Sequence, residues 1–248
     1  MNLTLLALAV LPVLVLSVVV YRQDRFEKEP VRLLIKAFFF GILAVFPVAI
    51  VERFLDLFNL GIPFFSALYE GYIVAGCTEE LFKLLFLAWA VWKSREFDEY
   101  FDGIVYAAFV SLGFACFENI GYVFAQDTYQ EAFVTGSVRA LLSVPGHFLF
   151  GVTMGYHFAL AKFDADHRAS HLVKAFLYPM LLHGTFDSLL MIPESIGGLF
   201  SGLLLFVFIL FDIKMWKWGV RRIRRLQELS QQQDADRSDP FAGFTWYV

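Results

Sequence analysis

The sequence predicts an all-α, polytopic membrane protein, a bundle of about seven transmembrane helices. Of its 248 residues, 58% are hydrophobic and 30 are Phe, whereas soluble domains average about 45–50% apolar residues. The apolar residues are concentrated in stretches that reach the roughly 20 residues needed to cross a bilayer. Helices satisfy their own backbone hydrogen bonds in lipid, and the sequence lacks the alternating segments typical of a membrane barrel.

Seven stretches have the length and composition of membrane spans. The first has neither a basic leader nor a small-residue cleavage site, so we expect a retained helix rather than a removed signal peptide. Residues 1–226 are predicted to form the transmembrane domain, and the polar, charged residues 227–248 a disordered tail. The predicted spans are 2–21, 33–52, 66–92, 103–125, 139–162, 172–192 and 196–218.

The connections between these spans alternate in their content of Lys and Arg. The first, third and fifth connections and the segment after the last span each carry several basic residues. The second contains only Arg53, the fourth has Arg139 only at its edge, and the sixth has none. The positive-inside rule therefore predicts the N-terminus outside and the C-terminus inside the cell. A net charge of −4 gives no reason to expect nucleic-acid binding.

The third span contains charged residues that lipid disfavours. Glu79 and Glu80 are adjacent near its middle, and Lys83 follows about one turn later. Charged side chains at this depth are costly and mark functional sites. One lysine neutralises only one carboxylate, so we expect the other to pair elsewhere, bind a metal or water, or hold a proton.

Three later spans add carboxylates and imidazoles. At a rise of about 1.5 Å per residue, these groups fall at depths that overlap with the charged pair of the third span. Such a set suits a divalent metal, zinc in particular, with a spare carboxylate as general base. A structural ion pair, or an orienting hydrogen bond between His183 and Asp187 without metal, is the alternative interpretation. The predicted metal ligands are Glu118, His147, His183 and Asp187, and the predicted catalytic residues are Glu79, Glu80 and Lys83.

Other conspicuous residues have simpler interpretations. Cys77 and Cys116 lie within apolar spans and are expected to be buried side chains rather than a disulfide. His157 is expected to be structural, and Gly151 with Gly155 to form a close helix-packing face. The sequence contains no HExxH zinc motif, no GxGD motif and no GxS nucleophile, which excludes three other types of intramembrane protease.

The charged segments resemble those of the PrsW family of intramembrane proteases. Residues 79–83 match its EExxK motif, and residues 113–122, His147 and residues 183–187 resemble its later motifs in the same order. An acidic segment before Pro30 and the pair Asp102–Gly103 are also similar to the family. The acidic segment comprises Asp24, Glu27 and Glu29.

The resemblance implies a multi-pass metalloprotease-like enzyme of the bacterial cell membrane. It also implies that the substrate is a single-span membrane protein. The best-known member of the family makes the first cut in a membrane-anchored anti-sigma factor during stress signalling. The sequence leaves open whether Glu79 or Glu80 is the base, and whether a metal or a glutamate-activated water is used. The alternatives are an ion- or proton-coupled transporter or channel, a non-catalytic immunity protein, and a prenyl-protein protease of the related CAAX type.

Overall fold

The computed structural model describes residues 2–25, 27–196 and 198–238, which form helices and connections without any β-strand. A 3-10 turn, Asp56–Phe58, follows the second helix, and a π-helical segment, Glu70–Cys77, joins the third helix to the fourth. The α-helices are α1 (Leu3–Gln23), α2 (Val31–Leu55), α3 (Pro63–Tyr69), α4 (Thr78–Val91), α5 (Asp102–Phe124), α6 (Tyr129–Leu141), α7 (Ser143–Phe163), α8 (Arg168–Ile196) and α9 (Gly198–Ser238).

The predicted all-α polytopic bundle is confirmed. Among the described residues, six helical stretches are long and apolar enough to cross a membrane. The third predicted span corresponds to α3, the π-helical segment and α4, which run continuously over residues 63–91 in three pieces, each too short to cross alone. Large apolar side chains face outward on several helices. Examples are Ile50, which is 72% exposed, and Trp89, which is 71% exposed. Such surfaces are suited to contact with lipid.

Two segments differ from the prediction. Most of the expected fourth connection forms α6, whose start is stabilised by a capping box between Thr128 and Glu131. The sequence predicts disorder from residue 227, but α9 continues to Ser238. Contacts with the rest of the bundle stabilise this extension, since the Gln227 side chain donates to the backbone oxygen of Gln23 at 2.7 Å. Residues 239–248 lie outside the described part of the chain.

Helix α5 is the centre of the bundle and packs against α7, α2 and α1. Its contact with α7 is close because both helices carry small residues there. A Cβ atom added to Gly155 would lie 2.3 Å from the backbone oxygen of Gly103, and one added to Gly151 would lie 3.0 Å from that of Ala107. The predicted packing face of Gly151 and Gly155 is therefore confirmed.

The basic connections meet at one end of the bundle, here called the basic end. It is formed by the α1–α2, α4–α5 and α7–α8 connections and the last part of α9. The Gln233 amide donates to the backbone oxygen of Asp98 at 2.8 Å, and the Lys162 ammonium donates to that of Trp92 at 2.8 Å. This shared location fits the predicted alternation of charge, and the orientation with the C-terminus inside remains a prediction.

Candidate active site

The third membrane stretch changes its helical geometry immediately before the two adjacent carboxylates. The π-helical segment Glu70–Cys77 ends at α4, whose first turn carries Glu79 and Glu80 and whose second turn carries Lys83. π-helical turns are rare and occur frequently at functional sites. Glu79 is 5% exposed, and Glu80 and Lys83 are 0% exposed. Their charges therefore have to be satisfied by other groups of the protein.

Close packing of α8 against the π-helical segment brings His183 to the carboxylates. A Cβ atom added to Gly184 would lie 2.3 Å from Cδ1 of Tyr72, so a larger residue at this position would separate the two helices. His183 Nδ1 lies 3.0 Å from Glu80 Oε1 and 3.9 Å from Glu79 Oε2.

The ammonium group of Lys83 is the centre of the cluster. Its Nζ lies 2.9 Å from Glu79 Oε2, 2.8 Å from Glu80 Oε1 and 3.0 Å from His147 Nδ1. The ring of Phe114 covers it, with its centroid 4.2 Å from Nζ. Lys83 thus pairs with both carboxylates at once, where the sequence predicted neutralisation of one.

The two histidines present the same ring edge to this cluster. His147 Nε2 lies 2.9 Å from Glu118 Oε2, and His183 Nε2 lies 3.2 Å from Asp187 Oδ2. With the proton on Nε2, His147 donates to Glu118 and its Nδ1 accepts from the Lys83 ammonium at 3.0 Å. His183 lies between two carboxylates and, when both ring nitrogens carry a proton, donates from Nδ1 to Glu80 and from Nε2 to Asp187. Metal-ligating histidines are oriented by carboxylates in this way.

Glu118 has a second partner that the sequence interpretation missed. Arg139 of α6 donates from NH2 to Glu118 Oε2 at 2.8 Å and from Nε to Asn119 Oδ1 at 2.9 Å. Its guanidinium group lies 4.0 Å from the ring centroid of Tyr122. The signal that could have placed Arg139 on a helix is the Thr128/Glu131 capping box, which starts α6 three turns earlier.

A cavity of about 550 Å³ opens onto the cluster. Glu80 and Lys83 do not line it and lie behind its wall. Glu52 does line it, although the sequence interpretation treated this residue only as part of the second span's end. The predicted site residues that line the cavity are Glu79, Glu118, His147, His183 and Asp187.

The cluster offers ligands for a divalent metal ion, which would take the place that the Lys83 ammonium holds among them. One ligand atom from each of Glu79, Glu80, His147 and His183 lies within 4.8 Å of all the others. Imidazole nitrogens and carboxylate oxygens are suitable ligands for zinc. Glu80 Oε2 is buried and has no hydrogen-bond partner among the described residues. A bound ion is one explanation for a buried polar atom of this kind.

All seven predicted site residues thus lie in one connected network. Four of them offer atoms at its centre, and Lys83 pairs with two of these four. Glu118 and Asp187, predicted as metal ligands, contact the outer ring nitrogens of the two histidines instead of belonging to the central group.

Comparison with known proteins assigns this architecture to a family. A model described as PrsW family intramembrane metalloprotease matches residues 29–213. The chain belongs to the PrsW family. Protease PrsW of Clostridioides difficile (strain 630) is 34% identical over 234 residues, which cover 94% of this chain and 95% of that protein.

Two further PrsW relatives match over similar lengths. Protease PrsW of Geobacillus kaustophilus (strain HTA426) is 35% identical over 230 residues, 93% of this chain and 95% of that protein. Protease PrsW of Bacillus subtilis (strain 168) is 33% identical over 214 residues, 86% of this chain and 91% of that protein. No solved structure matches the chain.

Membership of the PrsW family confirms the functional class that the sequence predicted. The chain is an intramembrane metalloprotease, a hydrolase of peptide bonds, and a multi-pass protein of the bacterial cell membrane. It acts on membrane proteins. The interpretations as a transporter, an immunity protein or a prenyl-protein protease are not supported by this assignment.

Proposed function

We propose that the chain uses zinc to cleave a single-span, membrane-anchored protein, with Glu79 as the general base. The observation that supports this most directly is that Glu79, Glu80, His147 and His183 each offer a ligand atom within 4.8 Å of the others, while Glu80 also has a buried oxygen, Oε2, without a hydrogen-bond partner among the described residues. An anti-sigma factor is the substrate that the family resemblance implies.

The two adjacent glutamates have different positions relative to the cavity, and this separates their proposed roles. Glu79 lines the cavity, where water and substrate arrive, so it is suited to proton transfer. Glu80 is fully buried behind it, contacts His183 Nδ1 at 3.0 Å and retains a free oxygen. The proposed zinc ligands are therefore Glu80, His147 and His183.

The protein groups divide the reaction between them. A bound zinc ion supplies Lewis acidity to the peptide carbonyl and to the attacking water. Glu79 accepts a proton from that water and passes it to the leaving amine. Lys83 holds Glu79 in position, since its ammonium bonds the carboxylate at 2.9 Å. Glu118 and Asp187 fix the histidine rings by accepting from Nε2.

The cavity supports a substrate that enters from within the membrane. Its walls combine the charged groups with apolar side chains of α2 and α8, including Val48, Leu190 and Met191. Its volume of about 550 Å³ is in the range of ligand pockets. A single-span anchor leaves both ends of its helix unconstrained by neighbouring spans, so it is the simplest membrane segment to admit.

Cleavage and metal content together test these assignments. The wild type, Glu79→Gln, Glu80→Gln and a His147→Ala/His183→Ala double variant are reconstituted in nanodiscs with a single-span membrane substrate. The number of zinc ions bound per chain is measured by elemental mass spectrometry, and the cleavage products of the substrate are identified by peptide mapping. Glu228→Gln is the matched control, because Glu228 is an exposed glutamate whose ion pair within the described ranges is with Arg225, at 3.5 Å.

The expected results differ among the variants. Glu79→Gln retains zinc and loses cleavage by about 10²–10⁴-fold, the usual contribution of a general base. Glu80→Gln and the double histidine variant lose both zinc and cleavage, and the control resembles the wild type. Full cleavage by a protein stripped of metal would refute the zinc proposal. Undiminished cleavage by Glu79→Gln would refute the assignment of the base.

A further inference from the structure

Four carboxylic side chains are buried together at the basic end of the bundle, far along α5 from Glu118. They are here called the acidic cluster. All four are almost inaccessible to solvent: Asp24 is 1% exposed, Glu29 5%, Glu99 3% and Asp102 1%. They come from the α1–α2 connection, the α4–α5 connection and the first residue of α5.

The hydrogen bonds of the acidic cluster join these segments. Asp24 Oδ2 accepts from the backbone N–H of Glu29 at 3.1 Å, and Asp102 Oδ2 accepts from that of Glu99 at 2.7 Å. Tyr106, which is fully buried, donates its hydroxyl to Glu29 Oε2. The Asp102 carboxyl group lies close enough to that of Glu29 for the two to repel each other when both are ionised.

Three oxygens of the acidic cluster remain unsatisfied. Asp24 Oδ1, Glu99 Oε2 and Asp102 Oδ1 are buried without a hydrogen-bond partner among the described residues. Buried polar atoms of this kind are exceptions that call for an explanation, such as a bound proton or ligand.

The charged groups around the acidic cluster do not neutralise it. Within the described ranges, no Lys, Arg or His forms an ion pair with any of its four carboxylates. The Lys28 ammonium donates to backbone oxygens of Tyr21 and Asp24, and Arg237 pairs with Asp98 at 3.2 Å. The titratable and charged groups facing the cluster are Glu27, Lys28, Glu96, Asp98, Tyr106 and Arg237.

Protons satisfy this arrangement better than a metal ion. Among the described residues, the active site has four side chains whose ligand atoms lie within 4.8 Å of one another, close enough to hold a metal ion. The acidic cluster is not such a group. Carboxyl groups that share a low-dielectric site cannot all ionise. Burial raises the pKa of Glu29 to about 7 and that of Glu99 to about 7, and it also raises the pKa of Asp24.

We propose that the acidic cluster is a proton-binding site, in which Glu29 and Asp102 share a proton that holds the basic end of the bundle together. Loss of this proton places like charges side by side and separates the α1–α2 and α4–α5 connections. The α4–α5 connection also holds α9, because Ser230 Oγ accepts from the backbone N–H of Phe101 at 2.9 Å. Deprotonation of the cluster therefore releases the last turns of α9.

Hydrogen–deuterium exchange of the full chain in nanodiscs tests the proposal between about pH 5.5 and pH 8.5. After correction for the intrinsic exchange rate, protection of residues 226–238 in the wild type is expected to fall at least about tenfold across this range, since one pKa unit corresponds to a tenfold change in proton affinity. Glu29→Gln and Asp102→Asn each remove one of the two carboxyl groups proposed to share the proton. Residues 226–238 of these variants are expected to remain protected across the pH range. Glu27→Gln is the matched control, since Glu27 is exposed, and should respond like the wild type.

Several outcomes would overturn the proposal. Protection in the wild type that does not change with pH would do so, as would a wild-type pH response in Glu29→Gln. Restoration of protection by Mg²⁺ or Ca²⁺ at about pH 8.5 would show that the cluster binds a cation instead. If the variants fail to fold, infrared spectra of the wild type decide the question. The carbonyl band of a protonated, buried carboxyl group should disappear as the pH rises, and its absence at about pH 5.5 would refute the proposal.

Discussion

The active site and the acidic cluster both bury carboxylates, but they stabilise them differently. In the active site, Glu80 and Glu118 each lie 2.8 Å from a basic side chain, Lys83 and Arg139 respectively. In the acidic cluster, no such partner is present among the described residues, and Glu29 accepts a hydrogen bond from the Tyr106 hydroxyl instead. The first site compensates its carboxylates with basic side chains, whereas the second, on our proposal, compensates them with a bound proton.

This difference predicts opposite effects of neutralisation. Removing one partner of a buried ion pair leaves an uncompensated charge and is strongly destabilising. Neutralising one carboxyl group in a site of like charges removes repulsion and is stabilising wherever that group would otherwise ionise. Substitutions in the two clusters therefore test the comparison directly.

The largest effect is expected for Lys83→Met. The change leaves Glu79 and Glu80 adjacent, buried and without a cation, so we expect a loss of about 3–5 kcal/mol in stability and at least about 10²-fold in cleavage. Thermal unfolding and cleavage in the same nanodiscs measure both. Lys36→Met is the control, because Lys36 donates to the backbone oxygen of Ala90 rather than to a carboxylate. Wild-type stability in Lys83→Met would contradict the ion-pair description of the active site.

A smaller effect is expected for Arg139→Gln. Arg139 and Glu118 are 15% and 17% exposed in their side chains, so water screens part of the charge left behind. Glu118 keeps its contact with His147 but loses its fixed position. Loss of an orienting partner next to metal-ligating histidines typically lowers activity or metal affinity by about 10–100-fold. We expect cleavage to fall within this range with little change in unfolding temperature. Equal cleavage in wild type and variant would show that α6 does not support the site.

A weaker effect is expected for Asp187→Asn. The Asp187 side chain is 26% exposed, and the asparagine oxygen still accepts from His183 Nε2. The variant removes the charge but keeps the hydrogen bond, so zinc affinity is expected to fall by about tenfold. Competition with a chelator measures this affinity. Asp187→Ala should have the larger effect of the two, and the reverse order would contradict an orienting role for this residue.

Spacing within a single helix made much of the active site predictable. Glu79, Glu80 and Lys83 share one helix, and so do His183 and Asp187, so contacts one turn apart follow from helical geometry. The depth of each residue in its span then indicated that the groups of separate helices converge. Hydropathy was sufficient to locate the spans, because a helix that crosses a membrane needs about 20 predominantly apolar residues.

Features that depend on contacts between distant segments were not predictable in this way. Arg139 contacts Glu118, 21 positions earlier in the chain, and nothing local indicates that pairing. The extension of α9 has a polar sequence that by itself indicates disorder, and its order depends on contacts such as that of Ser230 with Phe101. The carboxyl groups of the acidic cluster lie in three segments whose proximity only the folded bundle reveals.

The smallest effect, and the one of opposite sign, is expected for Glu29→Gln. The folded protein raises the pKa of Glu29 from 4.5 to about 7 through burial, so the native state binds this proton more tightly than the unfolded chain does. The stability that the protonated group supports is fully present below about pH 4.5 and decreases as the pH rises to about 7. The variant avoids this decrease and should unfold about 2–6 °C above the wild type at about pH 8. At about pH 5 the two should unfold at similar temperatures. Glu27→Gln should unfold at the wild-type temperature at both pH values. A lower unfolding temperature for Glu29→Gln than for the wild type at about pH 8 would mean that the acidic cluster, like the active site, needs its negative charge.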